Sequence, residues 1–305
     1  MNVADQELIE KVSTINTNEN TAYNIRKNGN VVIRNITEDV SIVNKEDGTG
    51  IDIYIKENTK NALVFIPVII TKGGINDKVY NDFHIGKNAK ATIMAGCAIR
   101  NNKNLDSSHQ GIHRFYLDEG SKVKYVEKHY ADGRGLGHKN LDPITELYLG
   151  NNSSLEIDTV QISGVDSSTR ITTGRLESGA TLSISEKIMT EKEQQATTDF
   201  SIDLDGTDSS CHVVSRSVAK DSSKQIFKSN INGNNKCYGH VECDAIIQDN
   251  GHVHAIPEIH AKDIDANLVH EATIGKIAGE QLIKLMSLGL SVEEAEMQII
   301  NGFLK

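Results

Sequence analysis

One grammar recurs through the middle of this chain and limits what it can fold into. The segments FHIGKNAKATI, YLDEGSKVKYV, LYLGNNSSLEID, GRLESGATLSIS and IDLDGTDSSCHVV each read as a short strand, a Gly/Asn/Ser turn and a second strand of alternating apolar and polar residues. Their turn glycines, Gly86, Gly120, Gly150, Gly179 and Gly206, follow one another at 34, 30, 29 and 27 residues. A unit of that size cannot bury its own apolar face, so the units must stack. Period-2 alternation with glycine turns and irregular coil length fits a β-helix or β-solenoid. A β-sandwich, also built of short, evenly spaced strands, is the structural alternative. Upstream, from Tyr23, the segments VVIRNI, VSIVN, GIDIYI and ALVFIPVII are β-branched or aliphatic-rich and read as strands. Pro67 inside the last of them points to a strand end, a bulge or an edge, because proline gives a ladder no donor.

A chain of 305 residues can bury a full core as one elongated domain or two compact ones. Its 24 Gly, 3 Pro and absence of Trp suit many strands joined by tight turns. A net charge of −10 argues against a phosphate backbone as partner, so no nucleic acid is expected. The start, MNVADQELIEKVST, lacks the basic head and apolar core of a signal peptide, and no run of about 18 apolar residues predicts a membrane span. Four cysteines (Cys97, Cys211, Cys237 and Cys243) do not make a disulfide framework and fit a reduced, cytoplasmic compartment. Leu8, Ile9 and Val12 predict a short helix over Asp5 to Val12, followed by a polar linker over Asn16 to Thr21. The glycine-rich ADGRGLGHKN, Ala131 to Asn140, lacks a dinucleotide-binding spacing and reads as a mobile loop. No G-x-x-x-x-G-K-[ST] is present, so the chain is not expected to hydrolyse nucleotides itself.

Chemistry concentrates after Cys237. In VECDAII, Val241, Cys243, Ala245 and Ile247 share one face while Glu242 and Asp244 point the other way, which puts Cys243 on the apolar side. Burial is the commonest fate of such a cysteine. Cys237, among Asn235, Lys236 and Tyr238, is expected in a turn as the more exposed thiol, with Cys97 and Cys211 in the core. His252 and His254 share a face of GHVHAIP, a spacing that serves a metal or an exposed pair equally. His270 and Glu271 come just before the helices, where function often concentrates. The absence of CxxC speaks against a closed zinc site or a ferredoxin-type cluster. Beyond them, Ala278 to Leu288 places Leu282, Leu285 and Met286 on one helical face, and Gly289 is set to end that helix. Ser291 and Glu294 form a capping-box pair that opens a second helix carrying Ala295, Ile299 and Phe303 along one face. This hairpin is expected to cap the open end of the solenoid or to dock another subunit.

The ordered run SRSVAKDSSKQIFKSNINGNN, CYGHVECDAIIQDNG, IPEI, HEATIGKI, EQL and LMSLGLSVEEAEMQII, from about Ser215 to Phe303, resembles the SufB/SufD family of iron–sulfur cluster assembly proteins. The resemblance implies a mainly β fold, a right-handed parallel β-helix with a C-terminal α-helical subdomain. The corresponding division is an N-terminal helix and linker over 1–22, a β-helix core over 23–262 and the helical subdomain over 263–305. It further implies a cytoplasmic scaffold, not an enzyme, that builds a transient iron–sulfur cluster between two chains. These would pair through the C-terminal ends of their β-helices, as a homodimer or a SufB/SufD-like heterodimer. A SufC-like ABC ATPase, docked on the helical subdomain through Leu282, Leu285, Met286, Ile299 and Phe303, would supply ATP hydrolysis. A sulfur donor and apo acceptor proteins would complete the partners.

The family's cysteine falls on Cys243 and its His-Glu-Ala on His270, Glu271 and Ala272, which makes those three functional side chains the implied cluster ligands. Cys237, His240 and His254 are further metal candidates. SufD chains typically carry Gly at the position of Glu271 and lack the cysteine, so the chain is SufB-like. It is shorter than bacterial SufB, which leaves the carry-over of that region's sulfur-acceptance and flavin roles open, and it has Val269 where an acidic residue is common. A cluster needs about four ligands. One Cys243 cannot supply them, whereas two chains meeting symmetrically would offer two cysteines with two His270 or Glu271 side chains. The other readings are a SufD-like partner that docks the ATPase without holding a cluster, and a β-helix carbohydrate-active enzyme. The latter needs an acidic cluster that the C-terminal stretch lacks.

Overall fold

In the computed structural model, which describes residues 2–13 and 20–305, the alternating segments wind into a β-solenoid of about eight turns. Helix α1 (Val3–Val12) comes first, with Asn2 and Asp5 forming a capping box. The residues expected as a linker lie outside the described ones up to residue 19, and by Thr21 the chain has entered a strand. Two antiparallel pairs begin the solenoid: β1 (Thr21–Lys27) with β2 (Asn30–Asn35), and β3 (Val40–Asn44) with β4 (Gly50–Ile55). Then β5 (Ala62–Ile70), β6 (Asn76–Ile85), β7 (Lys90–Arg100), β8 (Ser107–Leu117) and β9 (Lys122–Asp132) alternate between two faces. The short β10 (Lys139–Leu141) and β11 (Ile144–Leu149) share one rung. The series continues through β12 (Ser154–Ser163), β13 (Ser167–Leu176), β14 (Thr181–Thr190), β15 (Gln195–Leu204) and β16 (Ser209–Ala219). It ends with β17 (Lys224–Gly233), β18 (Cys237–Ile247), β19 (His252–Ala261) and β20 (Ala266–Gly275).

The strands form two ten-stranded sheets, one finishing at β20 and the other at β19. Inward residues of both meet in a long apolar core, where Phe83 stacks on Phe115 at 4.5 Å between ring centroids, and a second, smaller cluster gathers Val68, Ile70, Cys97, Ile99 and Leu141. Helix α1 lays Leu8, Ile9 and Val12 against Ile25, Ile69 and Ala98 on the outside of the first sheet.

The true repeat is a backbone conformation and not a residue type. Asn58, Asn88, Gly120, Asn152, Gly179 and Asp208 all take positive φ, one per coil. Asn and Asp tolerate that region because their side chains bond locally, so glycine is required there only sometimes. Gly86, Gly150 and Gly206 sit two residues earlier in their turns and serve a different need. A Cβ on Gly206 would lie 2.0 Å from Ser178 N of the coil below. The glycine spacing therefore mixes two turn positions, and its irregularity is partly apparent.

Two expectations change. Strand β5 runs between β1 and β7, so Pro67 is inside a sheet rather than at its edge. It is tolerated because the ladder lapses there: Tyr23 pairs Phe65 and Arg26 pairs Val68, with no rung between, beside a bulge at Ile25/Arg26. The glycine-rich loop is also held rather than mobile. Gly135 N and Gly137 N donate to Asn101 O (3.1 Å) and Lys103 O (3.0 Å), while Arg134 N and His138 N donate to Asn102 Oδ1 (3.0 Å) and Asp106 Oδ1 (2.7 Å). Its glycines let the backbone lie on the loop of the coil below, since a Cβ on Gly135 would meet Lys103 O at 2.1 Å.

Helices α2 (Gly279–Ser287) and α3 (Val292–Phe303) form the hairpin expected from Ser291 and Glu294, whose capping box is present. It does not close the solenoid. Ile300 and Leu304 pack on Val218, beside Met189 and Ile246, which places α3 on the outer face of the first sheet and leaves β19 and β20 uncovered. The apolar seat is on the flank because Met189, Val218 and Ile246 are outward residues of three successive strands.

The buried Asn101 side chain donates to Leu105 O (2.8 Å) and Gly137 O (3.2 Å) and accepts from Lys103 N (3.0 Å). Asn101→Ala is expected to cost about 1–3 kcal/mol by stranding those groups. A lowered urea midpoint at unchanged slope, with faster proteolysis at 133–138, is the expected result. An unchanged midpoint would refute the stacked-loop account.

Candidate functional site

Every strand between the two ends of a sheet has a neighbouring strand on both sides. On β19 and β20 the inward residues meet solvent instead, with Ile259 40% and Ile274 39% exposed. This open mouth collects the candidate ligands. Strand parity turns Cys237, Gly239, Val241, Cys243 and Ala245 of β18 inward. In the parallel register with β20, Val241 faces His270, Glu242 faces Glu271 and Cys243 faces Ala272. Cys243 and His270 are therefore diagonal neighbours on the inward face, one strand from the edge.

Cys243 is only 1% exposed. Burial, then the negative charges of Glu186 and Asp244, push its thiol up to about 12, so it is protonated at neutral pH. Both ring nitrogens of His270 are buried, and neither makes a well-formed hydrogen bond among the described residues. Burial lowers the pKa of this imidazole, with the nearby Val241 backbone opposing the shift and His240 adding to it, and so favours its neutral, metal-binding form.

The other expected residues are placed differently. Glu271 points outward, 3.9 Å from His240 Nε2, and His240 stacks on His212 with centroids 5.1 Å apart. His254 is on the outer face of β19, in the other sheet, paired with Ile226. Cys237 is not the exposed thiol: it is buried at the start of β18, paired with Ala266, with Sγ in the space that Gly233 leaves open. Cys97 and Cys211 are buried as expected. Among the described residues no three His, Cys, Asp or Glu side chains already form a metal site.

Behind Cys243 lies a carboxylate that motif reading missed. Ser215, the rung partner of Cys243 on β16, donates to Glu186 Oε2 at 2.8 Å, Thr198 donates to Oε1 at 2.9 Å, and Arg170 Nε lies 3.6 Å away. Burial lifts this carboxyl above its ordinary range against the pull of Arg170. The signal was parity: Glu186 follows Leu182 and Ile184 at even spacing, a charged side chain in a core position.

On the helices, Met286 is the one exposed member of the expected docking set. Leu282, Leu285, Ile299 and Phe303 are half-buried, and Phe303 packs on the body. Ile283 (67%), Leu288 (80%), Val292 (41%) and Met297 (60%) add further free apolar surface.

Alkylation checks the inward placement. At pH 8 native Cys243 should react roughly a thousandfold more slowly than in unfolded chain, the ratio of thiolate fractions for a thiol raised this far. Its rate should climb with pH toward about 12. Equal rates in native and unfolded protein would mean that the thiol faces solvent.

The family described as SUF system FeS cluster assembly, SufBD core domain, matches residues 79–303, from within β6 to the end of α3. An iron–sulfur cluster assembly SufBD family protein of Pyrococcus horikoshii is 29% identical over 272 residues, 85% of this chain and 78% of its own. A relative of the same description from Methanothermobacter thermautotrophicus is 28% identical over 223 residues, 72% of this chain. The matched stretch is 53% of that protein, so this chain spans about half the length of that relative. A Staphylococcus saprophyticus relative is 36% identical over 97 residues.

Proposed function

We propose, because this chain belongs to the SufBD core family of the SUF iron–sulfur cluster assembly system, that it is a scaffold on which a transferable cluster is built between two chains. The observation that carries this reading is the open mouth, where His270 on the terminal strand and Cys243 just beneath that strand share an inward face that no further coil closes. Two mouths apposed about a twofold axis would bring two cysteines and two histidines together, the number of ligands a cluster needs. Apposition would also bury Ile259 and Ile274 and satisfy the free edges of β19 and β20. Homodimer and heterodimer meet that need equally.

The reading assigns each residue a task. Cys243 is the thiolate donor, and its proton must leave before iron binds, which its buried setting resists until the end of the solenoid opens. A SufC-like ABC ATPase on the helical hairpin is the proposed source of that opening, with Met286 in its contact surface. Among the described residues no helix is long and apolar enough to cross a membrane. A sulfur donor and apo acceptors complete the proposed cycle, and the site is placed in the cytoplasm. Glu271, turned to the outer face beside His240, is ranked below His270 as a ligand. That outward turn favours one alternative, a SufD-like subunit that docks the ATPase and leaves ligation to a partner.

Anaerobic reconstitution with ferrous iron and sulfide separates the two. The scaffold reading expects a visible chromophore in wild type that is lost in Cys243→Ser and reduced in His270→Ala. A chromophore indifferent to Cys243→Ser sinks it, and no chromophore in any form supports the SufD-like subunit. Met286→Glu is expected to abolish co-purification with the ATPase while leaving the chromophore of the isolated chain unchanged.

A further inference from the structure

Where strands of the first sheet hand over to the second, successive coils carry connections of different length. Residues 101–106 and 133–138 are six-residue arcs, 164–166 is a three-residue turn, and 191–194 and 220–223 have four residues each. The short turn rests on Gly164, which takes positive φ (73°) and has no room for a Cβ, since one would lie 1.7 Å from Ala131 O. Between neighbours that project, the retracted turn leaves a cleft of about 1110 Å³. Gly133 and His138 line one wall, Lys139 and Asp166 the floor, and Glu191 and Lys192 the opposite wall. The walls belong to coils two steps apart, about 10 Å at the spacing of parallel strands, so the cleft has the width of one missing strand.

The wall built by 133–138 is one-sided. The amides of Arg134, Leu136 and His138 donate to Asn102 Oδ1 (3.0 Å), Asn104 Oδ1 (3.3 Å) and Asp106 Oδ1 (2.7 Å) of the arc below. Those of Gly135 and Gly137 donate to its carbonyls, Asn101 O (3.1 Å) and Lys103 O (3.0 Å). Five consecutive amides thus point the same way. In a trans peptide the carbonyl of one residue points opposite to the amide of the next. The carbonyls of Gly133, Arg134, Gly135 and Leu136 are therefore turned away from the arc below, toward the side of the short turn. None of the four meets a donor among the described residues, whereas Gly137 O accepts from Asn101 Nδ2 (3.2 Å). An arc in the next coil would meet them, and the next coil has only its three-residue turn.

The same arc shows what such a row of carbonyls accepts. It lies backbone on backbone over 101–105 because its alternate residues lack side chains. A Cβ on Gly133, Gly135 or Gly137 would come within 2.2, 2.1 and 2.2 Å of Asn101 O, Lys103 O and Leu105 O. Whatever lies on Gly133 to Leu136 in turn must bring a row of donors along one edge and the same bare alternation. Charge does not select an ion. Asp132 is paired with Arg100 and Asp166 with Lys139, while Glu191 and Glu193 are balanced by Lys192 and Lys224. A phosphate finds no surplus of cations in this cleft, and a backbone with its neutral donors fits the balance.

We infer that the cleft docks an extended segment of a partner protein with glycine at alternate positions, Gly-x-Gly-x-Gly, which enters as the missing arc and donates glycine amides to Gly133 O and Gly135 O. This is strand addition applied to the turn of a solenoid instead of the edge of a sheet. Main-chain bonds supply the affinity, and the alternation excludes segments whose Cβ atoms would strike the carbonyls. Gly-x-Gly-x-Gly occurs once in this chain, in the arc itself, so the segment comes from another protein. The cleft lies on the flank between β9 and β14, and two further strand steps separate β14 from β18, which carries Cys243. The inference goes beyond the scaffold reading and does not depend on it.

The arc's own sequence is the probe. A fluorescein-labelled peptide ADGRGLGHKN, titrated with the whole chain and followed by fluorescence anisotropy, is expected to bind saturably at one site. Sarcosine in place of its three glycines removes the amide donors and should weaken binding about tenfold or more, the loss of two hydrogen bonds. Alanine in their place keeps the donors but adds the Cβ atoms, and it should abolish binding. On the chain, Gln195→Trp and, separately, Ser222→Trp put a large side chain into the cleft from exposed positions. Each should lose the peptide while its far-UV circular dichroism stays native, and Cys243→Ser should bind it as wild type does. The proposal is overturned if wild type binds no peptide, if the alanine peptide binds as the glycine peptide does, or if both tryptophan variants bind as wild type does. Loss of the peptide in Cys243→Ser would place its site at the mouth and overturn the proposal as well.

Discussion

The structure depends on the parallel rung between one coil and the next. Each strand receives its backbone partners and the cover for its inward side chains from its neighbours, so stability is local and additive along the axis. Such a stack has no internal reason to stop. At the N-terminal end the antiparallel strands β2 and β3 finish the two sheets. At the other end no strand finishes them among the described residues, and the helical hairpin, for which the sequence left capping and docking both open, lies on the flank. At β19 and β20 the parallel stack thus stops without a finishing strand, and the cysteine and histidine that matter for the proposed chemistry are seated there.

The interior departs from an apolar core in a way that has a cost. Glu127, Arg170 and Glu186 are fully inside, and ion pairs so placed are weak contributors to stability because desolvation offsets their attraction. A well-packed apolar set would serve the fold as well or better. The polar groups nevertheless run in a connected series, from His113 through Tyr125, Glu127 and Arg170 to Glu186 and Ser215, whose rung partner is Cys243. Their satisfaction is nearly complete, which marks the series as a specified part of the core and not a packing defect.

Much of this was legible in the sequence, because period 2 is the only periodicity a strand has. The alternation in VECDAII put Cys243 inward correctly, and the capping box at Ser291 and Glu294 located α3. Cys237 was misread because its neighbours Asn235 and Lys236 are turn residues, although it shares parity with Cys243 and so its face. The turn glycines gave coil lengths but hid the second residue type, asparagine or aspartate at positive φ, that carries the repeat. Pro67 and the loop at 133–138 were misjudged for a common reason. Local chemistry marks where a ladder lapses or a backbone comes close, and only the adjacent coil shows whether that lapse is filled. Which helical residues stay free, Met286 rather than Phe303, is likewise a tertiary fact.

Parity also constrains the proposed cluster site more tightly than a motif does. His270 and Glu271 are adjacent on one strand, so they face opposite sides of the sheet, and a one-residue slip of β20 would exchange them. With Val241 opposite His270, Cys243 and His270 share a face and Glu271 is shut out of it. A ligand set that used both His270 and Glu271 of one chain would require β20 to twist or detach. As the terminal strand, bonded on one side only, β20 is the element for which that rearrangement is cheapest. The same freedom would uncover Cys243, whose thiol β20 shields. The edge that leaves the solenoid unfinished is therefore also the edge that can move, and ligand choice and thiol exposure are coupled through the register of a single strand.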